Sequence, residues 1–407
     1  LKDLFASLPL GMGIVGTGYA LGPNRLSNDD LMRLSGLTLS ERFIRSRIGI
    51  ESRCFLADGM TTSDLAVAAA RQALDNADCS LDELDRLIVA TSTPDHATPS
   101  TACIVQHKLG GSGFPAHDVV AACSGFLYGL EQALRCVATG DRKVLVIGAD
   151  CRSRTLNLSD KRTAFLYGDG AGAVVVSALP GRTQGFEDCL LMADGSGFDA
   201  VMVPAGGAAE PCTEESIRQG RHRLSMPDGA RVATNAAQGF IGLTEQLLER
   251  NALRLEDIDF FVFHQPNGRL LQKVIEQLGV PPAKTHINFP RYGNTVAGSV
   301  PIALAEAVAE GKIGSGDRVL LCAVGQVLPA GRRYCDGIDA TGYGVGHRGK
   351  PRYWLCLRGA LAERVRLPGC DHRARSSRVG GGPPTVGGER AGHRAAVRSC
   401  RQQADSE

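Results

Sequence analysis

The sequence predicts an α/β fold assembled from two related halves, and two observations carry that prediction. Short apolar strands alternate with segments of helical periodicity, the pattern of parallel sheets covered by helices. An internal repeat then gives three matches in chain order at nearly one offset. Leu81–Val89 aligns with Leu255–Phe263 at an offset of 174, and Gly140-Asp141-Arg142 matches Gly316-Asp317-Arg318 at 176. Between them, Ala122-Cys123-Ser124 falls opposite Ala297-Gly298-Ser299 at 175. Two such halves facing each other would bring the C-terminal ends of their strands to one crevice, where open α/β sheets bind ligands.

The elements follow in order along the chain. Gly13-Ile14-Val15-Gly16 opens a strand, and Ser63–Ala77 places apolar residues at helical spacing. Leu87–Ala90 and Lys143–Ile147 read as short buried strands. With 407 residues, the chain reads as two domains rather than one. The expected divisions are a first half over 12–180, a second half over 181–325 and a tail over 326–407. Composition is ordinary for a globular protein, with 43% apolar and 22% charged residues. No run of about 18 apolar residues occurs, so no membrane-crossing helix is expected. Leu1–Gly11 lacks the zones of a secretion signal, and Met12-Gly13-Ile14-Val15 reads as a start with residues 1–11 added upstream. Thirteen cysteines without such a signal point to reduced thiols in the cytoplasm. Cys370-Asp371-His372 offers too few ligands for a metal site.

The tail departs from the pattern. From Gln326 onward there are 15 Lys and Arg against 7 Asp and Glu, and the segment is rich in Arg, Gly and Pro. Such a composition buries too little apolar surface to offset its ordering entropy, so disorder or a shifted reading frame is expected. A nucleic-acid-binding arm is the other reading of its charge, but the aromatic and helical interleaving of such arms is missing.

Three residues stand where chemistry is built. Cys123 lies where the apolar run Val119–Ala122 meets the helical segment from Gly125 onward. A thiol at a helix N-terminus feels the positive end of the macrodipole, which favours thiolate. Alone it would read as a buried structural cysteine. His264 follows the apolar run Phe260–Phe263, and Asn294 lies between small residues just before another helical segment. Taken together, the three are read as strand-to-helix junctions of a duplicated unit, which is where such folds carry their sites.

At these residues the chain resembles a known family. Ala122-Cys123-Ser124-Gly125-Phe126, His264-Gln265-Pro266-Asn267, Gly293-Asn294-Thr295 and Gly168-Asp169-Gly170-Ala171-Gly172-Ala173 resemble β-ketoacyl-ACP synthase III. The resemblance covers roughly residues 13–325, and Arg47-Ile48-Gly49-Ile50 fits it too. It implies a thiolase-like fold, with duplicated βαβαβ halves layered as an α-β-α-β-α sandwich, and a homodimer. It also implies decarboxylative condensation of an acyl-CoA primer with malonyl-ACP, in fatty acid or polyketide initiation, through an acyl group on Cys123. His264 and Asn294 would donate hydrogen bonds to the malonyl thioester oxygen. Coenzyme A enters as a thioester substrate, and no cofactor is implied. The partners implied are acyl-CoA and acyl carrier protein, with no nucleic acid and no membrane.

The resemblance extends to substrate contacts at Phe43, Arg47, Lys161, Asn267 and Arg269. Phe43 stands where the family often has a Trp stacked on adenine, and Arg47 beside the nucleotide. Arg269, with Lys273 one turn on, would meet the acidic carrier, although Glu276 interrupts that face. Two departures bear on substrate and activity. Thr98 replaces a large apolar residue that closes the acyl pocket across the dimer, which implies room for a longer or branched primer. After Ala323-Val324-Gly325 the family's glycine loop and last strand give way to Gln326-Val327-Leu328-Pro329. That change would damage the oxyanion hole and one sheet edge. Two alternatives stay open: an acyltransferase of the same fold that delivers the acyl group to an alcohol or amine, and a catalytically impaired partner subunit.

Overall fold

The structure is a computed structural model that describes residues 11–179, 185–325 and 356–358. The chain opens on β1 (Gly11–Leu21). A ribbon of β2 (Asn24–Ser27) and β3 (Ser52–Phe55) follows, enclosing α1 (Asn28–Ser35) and α2 (Glu41–Arg47). Next come α3 (Thr62–Asn76), β4 (Arg86–Ala90), α4 (Thr101–Leu109), β5 (Ala116–Val119), α5 (Gly125–Ala138), β6 (Lys143–Cys151) and β7 (Asp169–Leu179). The second half contains β8 (Phe186–Asp188), α6 (Glu214–Arg218), α7 (Gly229–Arg250), β9 (Phe260–Phe263) and α8 (Gly268–Leu278). It continues through α9 (Phe289–Tyr292), α10 (Ser299–Ala309), β10 (Arg318–Cys322) and β11 (Cys356–Arg358).

One sheet has the order β1-β7-β6-β4-β5, the other β8-β11-β10-β9. Strands β6, β4 and β5 run parallel, as do β9 and β10, each pair joined through a helix. These strands are buried on both faces, which is why they read as unbroken apolar runs. Phe260 and Val262 of β9 pack with Phe126 and Leu130 of α5, Val300 and Leu304 of α10, and Val146 of the first sheet. Phe261 and Phe263 turn the other way, onto Phe240 of α7 and Val274 of α8. Leu65, Ala69 and Ala73 of α3 cover the far face of the first sheet with Val105 of α4. The result is five layers, α-β-α-β-α, with α5 and α10 as the middle one. Being in the middle layer, α10 is apolar almost all round, as a helix must be when no face meets water.

The duplication is written in the backbone. Ala122 and Val296, 174 positions apart, both hold left-handed φ, at 46° and 51°. Each opens a tight turn that leads into a middle-layer helix. The Asp85 N–H donates to Lys143 O, and the Asp259 N–H donates to Arg318 O. Two glycines allow the halves to meet. A Cβ on Gly148 would lie 2.2 Å from Ala297 O, and one on Gly168 would lie 2.1 Å from Tyr292 O. Both distances are far inside contact, so only glycine fits.

Several expectations change. The described residues of the halves 12–180 and 181–325 fall within one compact unit. They share the central core described above, because α5 and α10 are each buried against both sheets. Strand β6 runs on to Cys151, past the predicted end at Ile147, carried by pairing with β7 rather than by side-chain pattern. Asn294 follows the helical turn α9 rather than a strand. The composition of the tail predicts no part in a sheet, yet Cys356–Arg358 forms β11, antiparallel to both β10 and β8. The short apolar run Tyr353–Leu357 carries strand character that the Gly, Pro and Arg of the whole segment conceal. The remaining expectations for 326–407, Cys370-Asp371-His372 among them, and for residues 1–10 lie outside the described residues. Among the described residues no helix is long and apolar enough to cross a membrane.

Candidate active site

Cys123 occupies a single tight turn, Ala122–Ser124, between β5 and α5. The left-handed Ala122 turns the chain sharply there, and the Ser124 N–H donates to Ala121 O at 3.1 Å. The side chain is half-buried and packs with Tyr167 and Val296. Burial pushes its thiol up to about 12, and the carboxylate of Asp150 adds to this. Arg152 and a backbone hydrogen bond pull the other way without prevailing. Burial thus opposes the thiolate that the helix N-terminus favours.

His264 directly follows β9, with its N–H donating to Cys322 O at 2.8 Å. It is fully buried, and neither ring nitrogen has a hydrogen-bond partner among the described residues. Burial lowers its pKa to about 3, so the imidazole is neutral at physiological pH. A neutral imidazole keeps one N–H donor. A buried donor without a partner is costly, and here it faces a cavity.

Asn294 is held by its backbone on both sides, with its N–H donating to Leu166 O and its carbonyl accepting from Gly168. The Val296 N–H donates to Asn294 Oδ1 at 2.8 Å. That bond fixes the amide's orientation and leaves its NH2 without a partner among the described residues. Cys123, His264, Asn294 and Asn267 all line one cavity of about 270 Å³, together with Tyr167, Arg152 and Gly325. A nucleophile thus shares a small space with two neutral hydrogen-bond donors. Such donors can stabilise an oxyanion that develops beside them.

The other expected residues are placed less uniformly. Asn267 caps α8, its Oδ1 accepting from the N–H groups of Arg269 and Leu270, and it lines the cavity. Phe43 is 47% exposed on α2, with the Arg47 guanidinium 5.9 Å from its ring centre. Neither Phe43 nor Arg47 lines the cavity, although the next residue, Ile48, does. Lys161 is exposed and off the cavity, whereas Arg162 lines it and pairs with Asp160. Arg269 is exposed on α8, its Nε donating to Arg45 O at 3.2 Å. Thr98 is exposed on the loop after β4 and does not reach the cavity within one protomer. Arg152 and Tyr167 are additions that the sequence reading misses. Arg152 follows the C-terminal end of β6, the face where sites are built, and a correct end for that strand would have pointed to it.

A fold of two facing α/β halves with a cysteine, a histidine and an asparagine on one cavity defines a thiolase-fold acyl-transferring enzyme. Comparisons with known proteins agree. The family described as 3-oxoacyl-(acyl-carrier-protein) synthase III matches residues 117–195, and its C-terminal counterpart matches 248–331. A β-ketoacyl-(acyl-carrier-protein) synthase III of Solibacter usitatus is 41% identical, covering 74% of this chain and 92% of that protein. One from Oleidesulfovibrio alaskensis is 42% identical, covering 77% and 94%. The crystal structure of the Aquifex aeolicus 3-oxoacyl synthase III is 35% identical with a TM-score of 0.70, covering 78% of this chain and 97% of that one. The priming β-ketosynthase of the R1128 polyketide pathway gives 29% identity and 0.69, covering 76% and 91%. The chain belongs to the β-ketoacyl-ACP synthase III family, and its activity is that of an acyltransferase that initiates fatty acid or polyketide synthesis.

Proposed function

We propose that Cys123 carries the acyl group and that His264 and Asn294 stabilise the enolate of the second stage. The single observation behind this reading is the cavity in which Cys123 meets the Asn294 amide and a buried His264 whose ring nitrogens have no protein partner among the described residues. In the first stage Cys123 sulfur bonds to the acyl carbon of an acyl-CoA. The bond to coenzyme A sulfur breaks, and the thiol proton ends on the departing coenzyme A. In the second stage the carbon–carbon bond to the malonyl carboxylate breaks, releasing CO₂, and the electron pair moves to the thioester oxygen. His264 and Asn294 donate to that oxygen. The carbanion then attacks the acyl carbon, and Cys123 leaves as thiolate with the β-ketoacyl group on the carrier.

Phe43, Arg47 and Lys161 are proposed to meet coenzyme A outside the cavity, with Asn267 at its wall, and Arg269 to meet the acidic carrier. Pairing between two copies along β5 is proposed for the homodimer, because β5 ends its sheet with one edge unpaired among the described residues. That arrangement would bring Thr98 to a second copy's acyl pocket and admit longer or branched primers. The cytoplasm is the proposed location. Asn294→Asp is the test of the second stage. It should lower CO₂ release from malonyl-ACP by on the order of 10²–10³ while leaving Cys123 acylation nearly intact. Equal loss at both stages would assign Asn294 a general structural role instead.

A further inference from the structure

Next to the cavity lies a buried polar cluster that the proposed chemistry does not use. Glu306 of α10 is 4% exposed, and four side chains of segment 286–292 converge on its carboxylate. The Tyr292 hydroxyl donates to Oε1 at 2.7 Å, and Asn288 Nδ2 donates to Oε2 at 2.9 Å. Arg291 Nη2 lies 3.1 Å from both oxygens. His286 completes the set. Lys312 Nζ, a donor only, sits 3.1 Å from His286 Nδ1, so the ring proton is on Nε2 and is donated to Glu306 Oε2 at 3.0 Å. Burial works against this carboxylate, but the bonds from His286, Tyr292 and Asn288 and the charge of Arg291 hold its pKa below the ordinary range.

The same segment is gripped from its other side by Gln265. Its Nε2 donates to Phe263 O at 3.0 Å and to His286 O at 3.2 Å. Its Oε1 accepts from the N–H groups of Asn288 and Phe289, each at 3.3 Å. Its own N–H donates to Ser299 Oγ, at the start of α10, at 2.7 Å. Segment 286–292 is therefore clamped between Glu306 and Gln265. Asn294 lies two residues beyond its far end, and Gln265 adjoins His264.

We propose that Glu306 and Gln265 are positioning residues that hold Asn294 and His264 in register for decarboxylation. The proposal rests on the reading of those two residues as the enolate donors. Neither Glu306 nor Gln265 lines the cavity, so both act through their neighbours. Cys123 stands on a different turn with no hydrogen bond to this cluster, so its acylation should be largely independent of it.

The test compares wild type with Glu306→Ala, Glu306→Gln and Tyr292→Phe in three measurements. These are Cys123 acylation by short straight and branched acyl-CoA, CO₂ release from malonyl-ACP, and a thermal melt. Wild type must first perform both stages; failure there removes the functional reading itself and is seen before any variant is compared. Glu306→Ala should lower CO₂ release by about 10²-fold, the scale of an ångström-sized misplacement, while acylation changes little. Glu306→Gln should recover part of the loss, because an amide oxygen still accepts from Tyr292. Tyr292→Phe removes one bond only and should lower CO₂ release more than acylation, which keeps the test decisive if Glu306→Ala fails to fold. Equal loss at both stages, or CO₂ release unchanged in Tyr292→Phe and Glu306→Gln, would overturn the proposal.

Discussion

At the scale of single residues, burial governs both Cys123 and His264. Burial opposes charge, so the thiol stays protonated and the imidazole stays neutral. For a donor to a developing oxyanion, neutrality is useful, since an imidazolium would risk protonating the carbanion. For a nucleophile it is a cost, since thiolate is the reactive form. The two stages should therefore differ in pH dependence. Below a thiol pKa of about 12 the thiolate fraction rises tenfold per pH unit, so acylation should climb steadily from pH 6 to 9 without levelling. Decarboxylation by the preformed acyl-enzyme should be flat from pH 5 to 8, because His264, with a pKa of about 3, gains no proton there. Single-turnover rates across pH check both; a plateau in acylation below pH 8 would show that substrate binding resets the thiol. The three proposed catalytic residues are legible in the sequence because each sits in a short motif. Arg152 and Tyr167 are not, since their approach to Cys123 depends on strands far apart in sequence meeting at one end.

At the scale of elements, the site depends on how closely two turns approach. The turns before α5 and α10 come from equivalent positions of the two halves, and Asp150 at the end of β6 ties the second of them to the loop after β4. Its Oδ1 accepts from the Ser92 N–H and its Oδ2 from the Ala297 N–H. Gly168 lets α9 lie against the start of β7, and that contact places Asn294. Gly168→Ala should cost about 1–3 kcal/mol, as overpacking does, and should impair CO₂ release more than acylation. A thermal melt with the two stage assays measures this, and an unchanged melt would mean the backbone yields without strain. The repeat offset makes the paired turns legible in the sequence itself. The full length of β6 is not, because Gly148-Ala149-Asp150 lacks an apolar pattern and extends only by pairing.

At the scale of the whole molecule, the halves form one body around α5 and α10, and the second sheet draws on a strand from far along the chain. β11 lies between β10 and β8, so its loss would leave β8 without its ladder and β10 with an open edge. Removing residues 326–407 should therefore lower the melting temperature and weaken acylation. A truncated chain that melts and acylates like the full one would show that β11 contributes nothing. Composition cannot reveal this strand, since three residues vanish in the average of so long a segment.

Cys123 is the proposed site of the acyl group, and every later step depends on it. Intact-protein mass spectrometry after incubation with acyl-CoA, followed by peptide mapping, reads this directly. One acyl group should appear on Cys123, be absent from Cys123→Ala, and leave when malonyl-ACP is added, with CO₂ released. An acyl group on any other cysteine, or one on Cys123 that malonyl-ACP does not remove, would contradict it.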